Sequence, residues 1–290
     1  TSLFTTATVG AHYVMSTEVQ ADALLREIEE SGATMVGAVP SIFDYMAKSP
    51  VAEEVDLTRV RYAFHGGAPV SPHQVAQYMR LFPRAEIMNV FGQTESGNPG
   101  TTLPGKYALA KAGSIGKQGM QGVKVRVVGQ DGNDISGAGV GELLLASKAV
   151  MVGYFKNEEE TQNTIRDGWL YTGDLVRVDD DGFMFVYDRK KDIIIRGGLN
   201  IASIEVENAL SSHPDIQEAA VVSKPHSELG EDLVAFVVAS GDSRPTTEQL
   251  RAFVVPLIAN YKIPRDIRYI EELPRNPTGK ILKRQLRNDV

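Results

Sequence analysis

Thr94 and Glu95 stand side by side in Asn89-Val90-Phe91-Gly92-Gln93-Thr94-Glu95-Ser96, a polar run that follows an apolar one. A hydroxyl beside a carboxylate suits a metal-bound phosphate: Thr94 can donate to a phosphate oxygen, and Glu95 offers Mg2+ the hard oxygen ligand it prefers. The same residue types also start helices, so a plain N-terminal cap is the competing reading. Asp174 closes Asp167-Gly168-Trp169-Leu170-Tyr171-Thr172-Gly173-Asp174, which contains the only Trp of the chain. Its carboxylate could accept from two neighbouring hydroxyls, as on a ribose, or end an Asp turn packed beside an aromatic pair. Lys280 ends Asn276-Pro277-Thr278-Gly279-Lys280, just ahead of Lys283, Arg284 and Arg287. Pro presets its own φ and Gly tolerates positive φ, so this turn presents an ammonium group as a candidate catalytic cation; surface turns ending in Lys also serve solubility. A fourth run, from Asp188-Arg189-Lys190-Lys191-Asp192 through Arg196-Gly197-Gly198 to Ile201, has the charge of a solvated linker. Its paired glycines permit close backbone approach to another segment or a ligand.

These residues need a scaffold, and hydrophobic periodicity outlines one. Ala21, Leu24, Leu25 and Ile28 recur at helical spacing up to a Ser31-Gly32 stop, and Met35 to Val39 reads as a short buried strand. A helix around Ile42, Tyr45 and Met46, a strand from Val60, a helix from Ser71 to Phe82 and a strand from Glu86 to Phe91 follow. This alternation predicts α/β layers with a parallel sheet, in which residues 89–96 emerge at a strand's carboxyl end, where such sheets bind ligands. Residues 115–188 change texture: Val123 to Val127 alternates strictly, Gly and Asp turns punctuate, and further strands are expected over Glu142 to Ala146 and Phe183 to Tyr187. Beyond a boundary near residue 190 comes an α+β pattern. It has a helix through Ile204, Val206 and Leu210, strands over Ala219 to Val222 and Leu233 to Val238, and a helix with a Thr246/Gln249 capping box that Pro256 should end early.

Composition bounds the partners. The chain has 290 residues, 42% of them hydrophobic, enough for a sizeable core, and a formal charge of -7 that argues against a nucleic-acid surface. It has no cysteine, so disulfides and thiolate metal sites are excluded and any thiol in the chemistry belongs to a substrate. There is no apolar run long enough to span a membrane and no basic leader, so a soluble cytoplasmic protein is expected. Two Gly-rich runs are decoys. Gly100 to Lys106 matches most of a Walker A loop, but Tyr107 stands where Ser or Thr should reach Mg2+, and a surface loop is expected instead. Gly137 to Gly141 lacks the last spacing of a dinucleotide fingerprint and reads as a turn.

Taken in order, Gly66-Gly67-Ala68-Pro69, Phe91-Gly92-Gln93-Thr94-Glu95, Gly141-Glu142-Leu143, Met151-Val152-Gly153-Tyr154, Tyr171-Thr172-Gly173-Asp174, the Arg189 linker and Pro277-Thr278-Gly279-Lys280 resemble the cassettes of adenylate-forming enzymes, in particular acyl-CoA synthetases. The resemblance spans nearly the whole chain. It implies the remainder of a large layered α/β domain (1–114), a β-rich subdomain (115–188), a hinge (189–192) and a small mobile α+β carboxy-terminal domain (193–290). The activity it implies is ATP-dependent conversion of a carboxylic acid to an acyl-adenylate, with Mg2+, and then to a thioester with CoA. A carrier-protein-loading adenylation enzyme and a catalytically incomplete nucleotide-binding fragment are the alternatives.

By the same resemblance, Lys280, Thr94 and Glu95 are catalytic and Glu95 holds the metal. Gly66, Gly67, Ala68, Pro69, Asn89, Phe91, Gly92, Gln93, Asp174 and Arg189 bind ATP or AMP. Lys191 is the hinge, Gly197 and Gly198 border a thiol tunnel, and Phe64, Gly66, Val90 and Asn98 line the acyl pocket. Tyr154 belongs to a structural cassette, and His65 is read as a satisfied core histidine. The family's Ser/Thr/Gly-rich loop for the ATP β- and γ-phosphates has no counterpart in the sequence. An amino-terminally truncated chain with poor turnover alone is therefore expected, with the loop supplied by a complementing amino-terminal segment, either upstream in the same protein or on a second chain; a homodimer is the other partner reading.

Overall fold

The computed structural model describes residues 6–98, 100–275 and 281–290, so the Lys280 turn lies outside the described residues. The chain forms two compact units, residues 1–172 with 176–186 and residues 173–175 with 187–290.

The first unit opens with helix α1 (Ala21–Ser31), stopped by Gly32 at φ 60°, then strand β1 (Met35–Ala38) and helix α2 (Pro40–Lys48). Strand β2 (Tyr62–Gly66), helix α3 (Pro72–Leu81), strand β3 (Glu86–Phe91) and strand β4 (Thr101–Leu103) follow. A reciprocal Ser71/Gln74 capping box starts α3, satisfying amide groups that a helix end otherwise leaves unpaired. The sheet runs β1-β2-β3-β4, parallel across the first two pairings and antiparallel at β4. Leu25, Phe43, Met46, Ala63, Val75, Tyr78, Phe82 and Ile87 form its core with the helices. Phe43 meets Tyr78 and Phe82 edge-on, at 5.3 and 5.4 Å between ring centroids.

Two expectations change here. Strand β1 is not buried: it ends the sheet, and Met35 is 58% exposed. The Walker-like run is not a surface loop throughout, because Thr101 and Leu103 turn inward as β4 pairs with β3.

The β-rich part contains β5 (Lys124–Val128), β6 (Gly139–Ala146), a short α4 (Glu158–Thr164), β7 (Ile165–Arg166), β8 (Trp169–Val178) and β9 (Met184–Arg189). The sheet order is β5-β6-β8-β7, with β9 also paired to β8. Ile115, Leu143, Leu145, Val176 and Met184 fill its core. The turn expected to hold Asp174 is instead the interior of the ten-residue strand β8. The turn lies earlier, at Asp167 and Gly168, whose φ values of 50° and 78° are both positive.

In the second unit, β10 (Ile194–Arg196) and β11 (Leu199–Ile201) form a hairpin across Gly197 and Gly198, at φ 59° and 81°. Two positive φ values are what a two-residue primed turn demands. A Cβ on Gly198 would meet nothing within 4 Å, so turn geometry rather than close approach asks for glycine there. Helix α5 (Ser203–Ser211), β12 (Ile216–His226), β13 (Gly230–Ala239), α6 (Thr247–Val254), β14 (Asp266–Tyr269) and α7 (Lys283–Leu286) complete the unit. The sheet is ordered β11-β10-β13-β12, with β14 parallel to β13. Side chains alternate across it: Val221, Leu233 and Ala235 join a core with Leu210 and Leu250, whereas Val222, Val234 and Phe236 pack with Leu273 and Leu286. The Thr246/Gln249 capping box forms, and α6 ends before Pro256. Among the described residues no helix is long and apolar enough to cross a membrane.

Candidate active site

In the first unit the parallel pairing of β2 with β3 aligns Gly66 with Val90, so residues 66–69 and 92–95 leave adjacent strands at their carboxyl ends. Gly66 sits so close to β3 that an added Cβ would lie 2.4 Å from the Val90 carbonyl oxygen. Gly67, Ala68 and Pro69 follow as an exposed turn. Phe64, Gly66 and Val90 share the less buried sheet face, whereas Ala63, His65, Ile87 and Asn89 point into the core. Met88, in register with Phe64, belongs to the same face and was missed in the sequence, where strict alternation along β3 was the available signal.

Residues 93–98 form a tight reversal and not a helix start. Asn98 and Ser96 amides donate to the Gln93 carbonyl at 3.1 and 3.2 Å, and the Ser96 hydroxyl donates to the same carbonyl at 2.9 Å. Gly92 permits the reversal, since a Cβ there would fall 2.0 Å from the Asn98 carbonyl oxygen, and Asn98 itself takes φ 85°. The helix-cap reading of Thr94 and Glu95 is therefore set aside. Gln93 Nε2 donates to the Thr172 carbonyl at 2.9 Å. The Met151 amide donates to the Glu95 carbonyl at 2.8 Å, and the Tyr154 hydroxyl donates to Glu95 Oε1 at 2.9 Å. Thr94 is exposed. A single carboxylate of this kind, with a hydroxyl beside it, fits Mg2+, which is commonly held by one or two carboxylates plus substrate phosphates.

Asn89 and Phe91 lie beneath the reversal. Asn89 Nδ2 donates to the Ser114 carbonyl at 2.8 Å, and Phe91 packs on the Ile115 and Leu143 cluster. His65 is 2% exposed, and its Nδ1 has no partner among the described residues, so it is a core histidine but not a satisfied one. Burial pushes its pKa down to about 4, against the opposing pull of Asp44. Its ring lies 5.8 Å from that of Tyr78, whose hydroxyl donates to Asp44 at 2.7 Å.

In the second unit Arg189 Nε lies 2.7 Å from an Asp174 carboxylate oxygen. Next to it, buried Asp188 accepts from the Arg189 amide at 2.7 Å and from the amide and hydroxyl of Ser203 at 2.5 and 2.8 Å. Lys283 donates to the Ser203 hydroxyl and pairs with Glu207, both at 2.6 Å. Burial pushes the Glu207 carboxyl up, against the pull of Lys283. Lys191 is exposed, and its carbonyl accepts from Arg287, which also pairs with Asp192 at 2.6 Å. Gly197 and Gly198 are exposed at the hairpin tip. Not every charge of this run is a solvated face: Arg196 is buried and pairs with Asp232 at 3.0 Å. The contacts that join Asp188, Ser203, Glu207 and Lys283 escaped sequence reading, because Lys283 lies 80 positions from Ser203.

A model described as AMP-binding enzyme matches residues 1–155, and one described as AMP-binding enzyme C-terminal domain matches residues 205–280. The chain is 36% identical over 275 residues to the fatty acid (acyl-carrier-protein) ligase ScoC of Streptomyces coeruleorubidus, covering 93% of this chain and 51% of the relative. It is 34% identical to the long-chain-fatty-acid CoA ligase FadD13 of Mycobacterium tuberculosis, covering 99% of this chain and 56% of that protein. Among solved structures, the o-succinylbenzoate CoA synthetase MenE of Bacillus subtilis, in complex with its acyl-adenylate intermediate, superposes with a TM-score of 0.87 at 28% identity. That match covers 98% of this chain and 57% of MenE. The chain thus spans about half the length of the relatives it matches. It belongs to the AMP-binding enzyme family.

Proposed function

We propose that this chain serves an acid:CoA ligase reaction, in which a carboxylate attacks the α-phosphorus of ATP, pyrophosphate leaves, and the acyl-adenylate passes its acyl group to the thiol of CoA with release of AMP. The observation that carries the reading is the Gln93-Thr94-Glu95 reversal at the carboxyl end of β3, with one carboxylate oxygen of Glu95 held by Tyr154. In-line displacement at phosphorus needs positioning and charge neutralisation more than acid-base chemistry. Thr94 would donate to a phosphate oxygen and Glu95 would hold Mg2+, which when bound neutralises phosphate charge. Residues 66–69, together with Asn89, Phe91, Gly92 and Gln93, would form the nucleotide site, and Asp174 with Arg189 would meet the ribose. Phe64, Val90 and Asn98 would line the acyl pocket. Lys280 would neutralise charge at the attacked phosphorus. Rotation about Lys191 would then exchange it for Gly197 and Gly198 at the thiol entrance. The ATP β- and γ-phosphates would receive their remaining contacts from a complementing segment.

Similarity to a carrier-protein ligase supports a second reading with the same first half and a carrier-bound thiol as acceptor. A panel of carboxylic acids incubated with ATP and either CoA or a carrier protein, read by mass spectrometry of the thioesters, separates the two. Lys280→Ala is expected to abolish adenylate formation; a variant that adenylates normally removes Lys280 from the site.

A further inference from the structure

We propose that Tyr154 is a positioning residue for Glu95, fixing which of its two carboxylate oxygens is left for a divalent cation; the inference rests on the adenylation reading above. Glu95 is gripped twice by one loop, through its carbonyl by the Met151 amide at 2.8 Å and through Oε1 by the Tyr154 hydroxyl at 2.9 Å. A carboxylate turning about its last side-chain bond presents two equivalent oxygens, and a phenol donor on Oε1 ends that equivalence. Glu95 Oε2 has no hydrogen-bond partner among the described residues. The donor is neutral, so the negative charge remains available to a cation, which a Lys or Arg at that position would have offset.

The loop is itself braced. The Tyr154 amide donates to Thr161 Oγ1 at 2.9 Å, and that hydroxyl donates to the Asn157 carbonyl at 2.8 Å. Asn157 Oδ1 accepts from the Glu160 amide at 3.2 Å and caps α4. Gly153, at φ 154°, lies so near Thr161 that a Cβ would sit 2.8 Å from its methyl carbon. Orienting contacts of this kind are worth about tenfold to a hundredfold in metal affinity elsewhere.

The test compares wild type, Tyr154→Phe, Glu95→Gln and the double variant of the intact protein. Mn2+ is titrated in the presence of a non-hydrolysable ATP analogue, and free Mn2+ is followed by electron paramagnetic resonance alongside the thermal midpoint. Tyr154→Phe is expected to weaken Mn2+ binding about tenfold at an unchanged midpoint, and to have no further effect once Glu95 is Gln. Unchanged Mn2+ affinity, or an equal loss with and without the Glu95 carboxylate, overturns the proposal. So does failure of Tyr154→Phe to fold in both backgrounds, which makes the residue structural. A wild-type protein that binds Mn2+ with the nucleotide but adenylates no acid contradicts the adenylation reading while leaving this comparison intact.

Discussion

Arg189 Nε lies 2.7 Å from a carboxylate oxygen of Asp174, which is itself 4% exposed within strand β8. The guanidinium is a charged donor to a buried carboxylate, and charge-assisted hydrogen bonds of this kind are shorter and stronger than neutral ones.

If Asp174 reads the ribose, 2′,3′-dideoxy-ATP should bind the wild-type protein about tenfold more weakly than ATP, in line with about 1.5 kcal/mol for hydrogen bonds to a charged group. Asp174→Ala should bind both nucleotides alike. Calorimetric titration of the two ligands checks this; discrimination that survives Asp174→Ala assigns the ribose to other residues.

Glycine at 66 and 92 is required by space. An added Cβ would stand 2.4 Å from the Val90 carbonyl oxygen in one case and 2.0 Å from that of Asn98 in the other. Gly66→Ala and Gly92→Ala should each destabilise the first unit by about 2 kcal/mol, as overpacking does. Gly67→Ala meets only a distant Val39 methyl at 3.9 Å and should cost about 1 kcal/mol, from its φ of 89° alone. Urea denaturation ranks the three.

His65 makes stability depend on pH. Its folded pKa is pushed down to about 4 from 6.5, so between those values the unfolded chain takes up a proton that the folded chain refuses. The contribution is full above pH 6.5 and falls by about 1.4 kcal/mol per unit as pH drops towards 4. His65→Gln should flatten that segment of a denaturation midpoint against pH profile. An identical slope in the variant assigns the acid sensitivity to other groups.

The scaffold was legible where one element carries its own signal. The apolar run from Glu86 to Phe91 coincides with β3, and the Thr246/Gln249 pair caps α6 as expected. Strand β8 was hidden by Gly168 and Gly173, because glycine marks turns more often than strand interiors, yet only the first of the two sits in a turn. The site was legible as ordered cassettes and not as contacts. Tyr154 reaches Glu95 across 59 positions and Lys283 reaches Ser203 across 80, and no periodicity encodes pairs so remote. His65 read as an ordinary core residue because neither neighbours nor spacing reveal that its Nδ1 lacks a partner among the described residues.

The central claim is that a carboxylate oxygen attacks the α-phosphorus of ATP. It is tested most directly by turnover of an acid labelled with oxygen-18 in its carboxylate, followed by mass spectrometry of the products. Attack at the α-phosphorus places one labelled oxygen in AMP for each thioester formed, and this is the predicted result. Label appearing in inorganic phosphate, with AMP unlabelled, would contradict it.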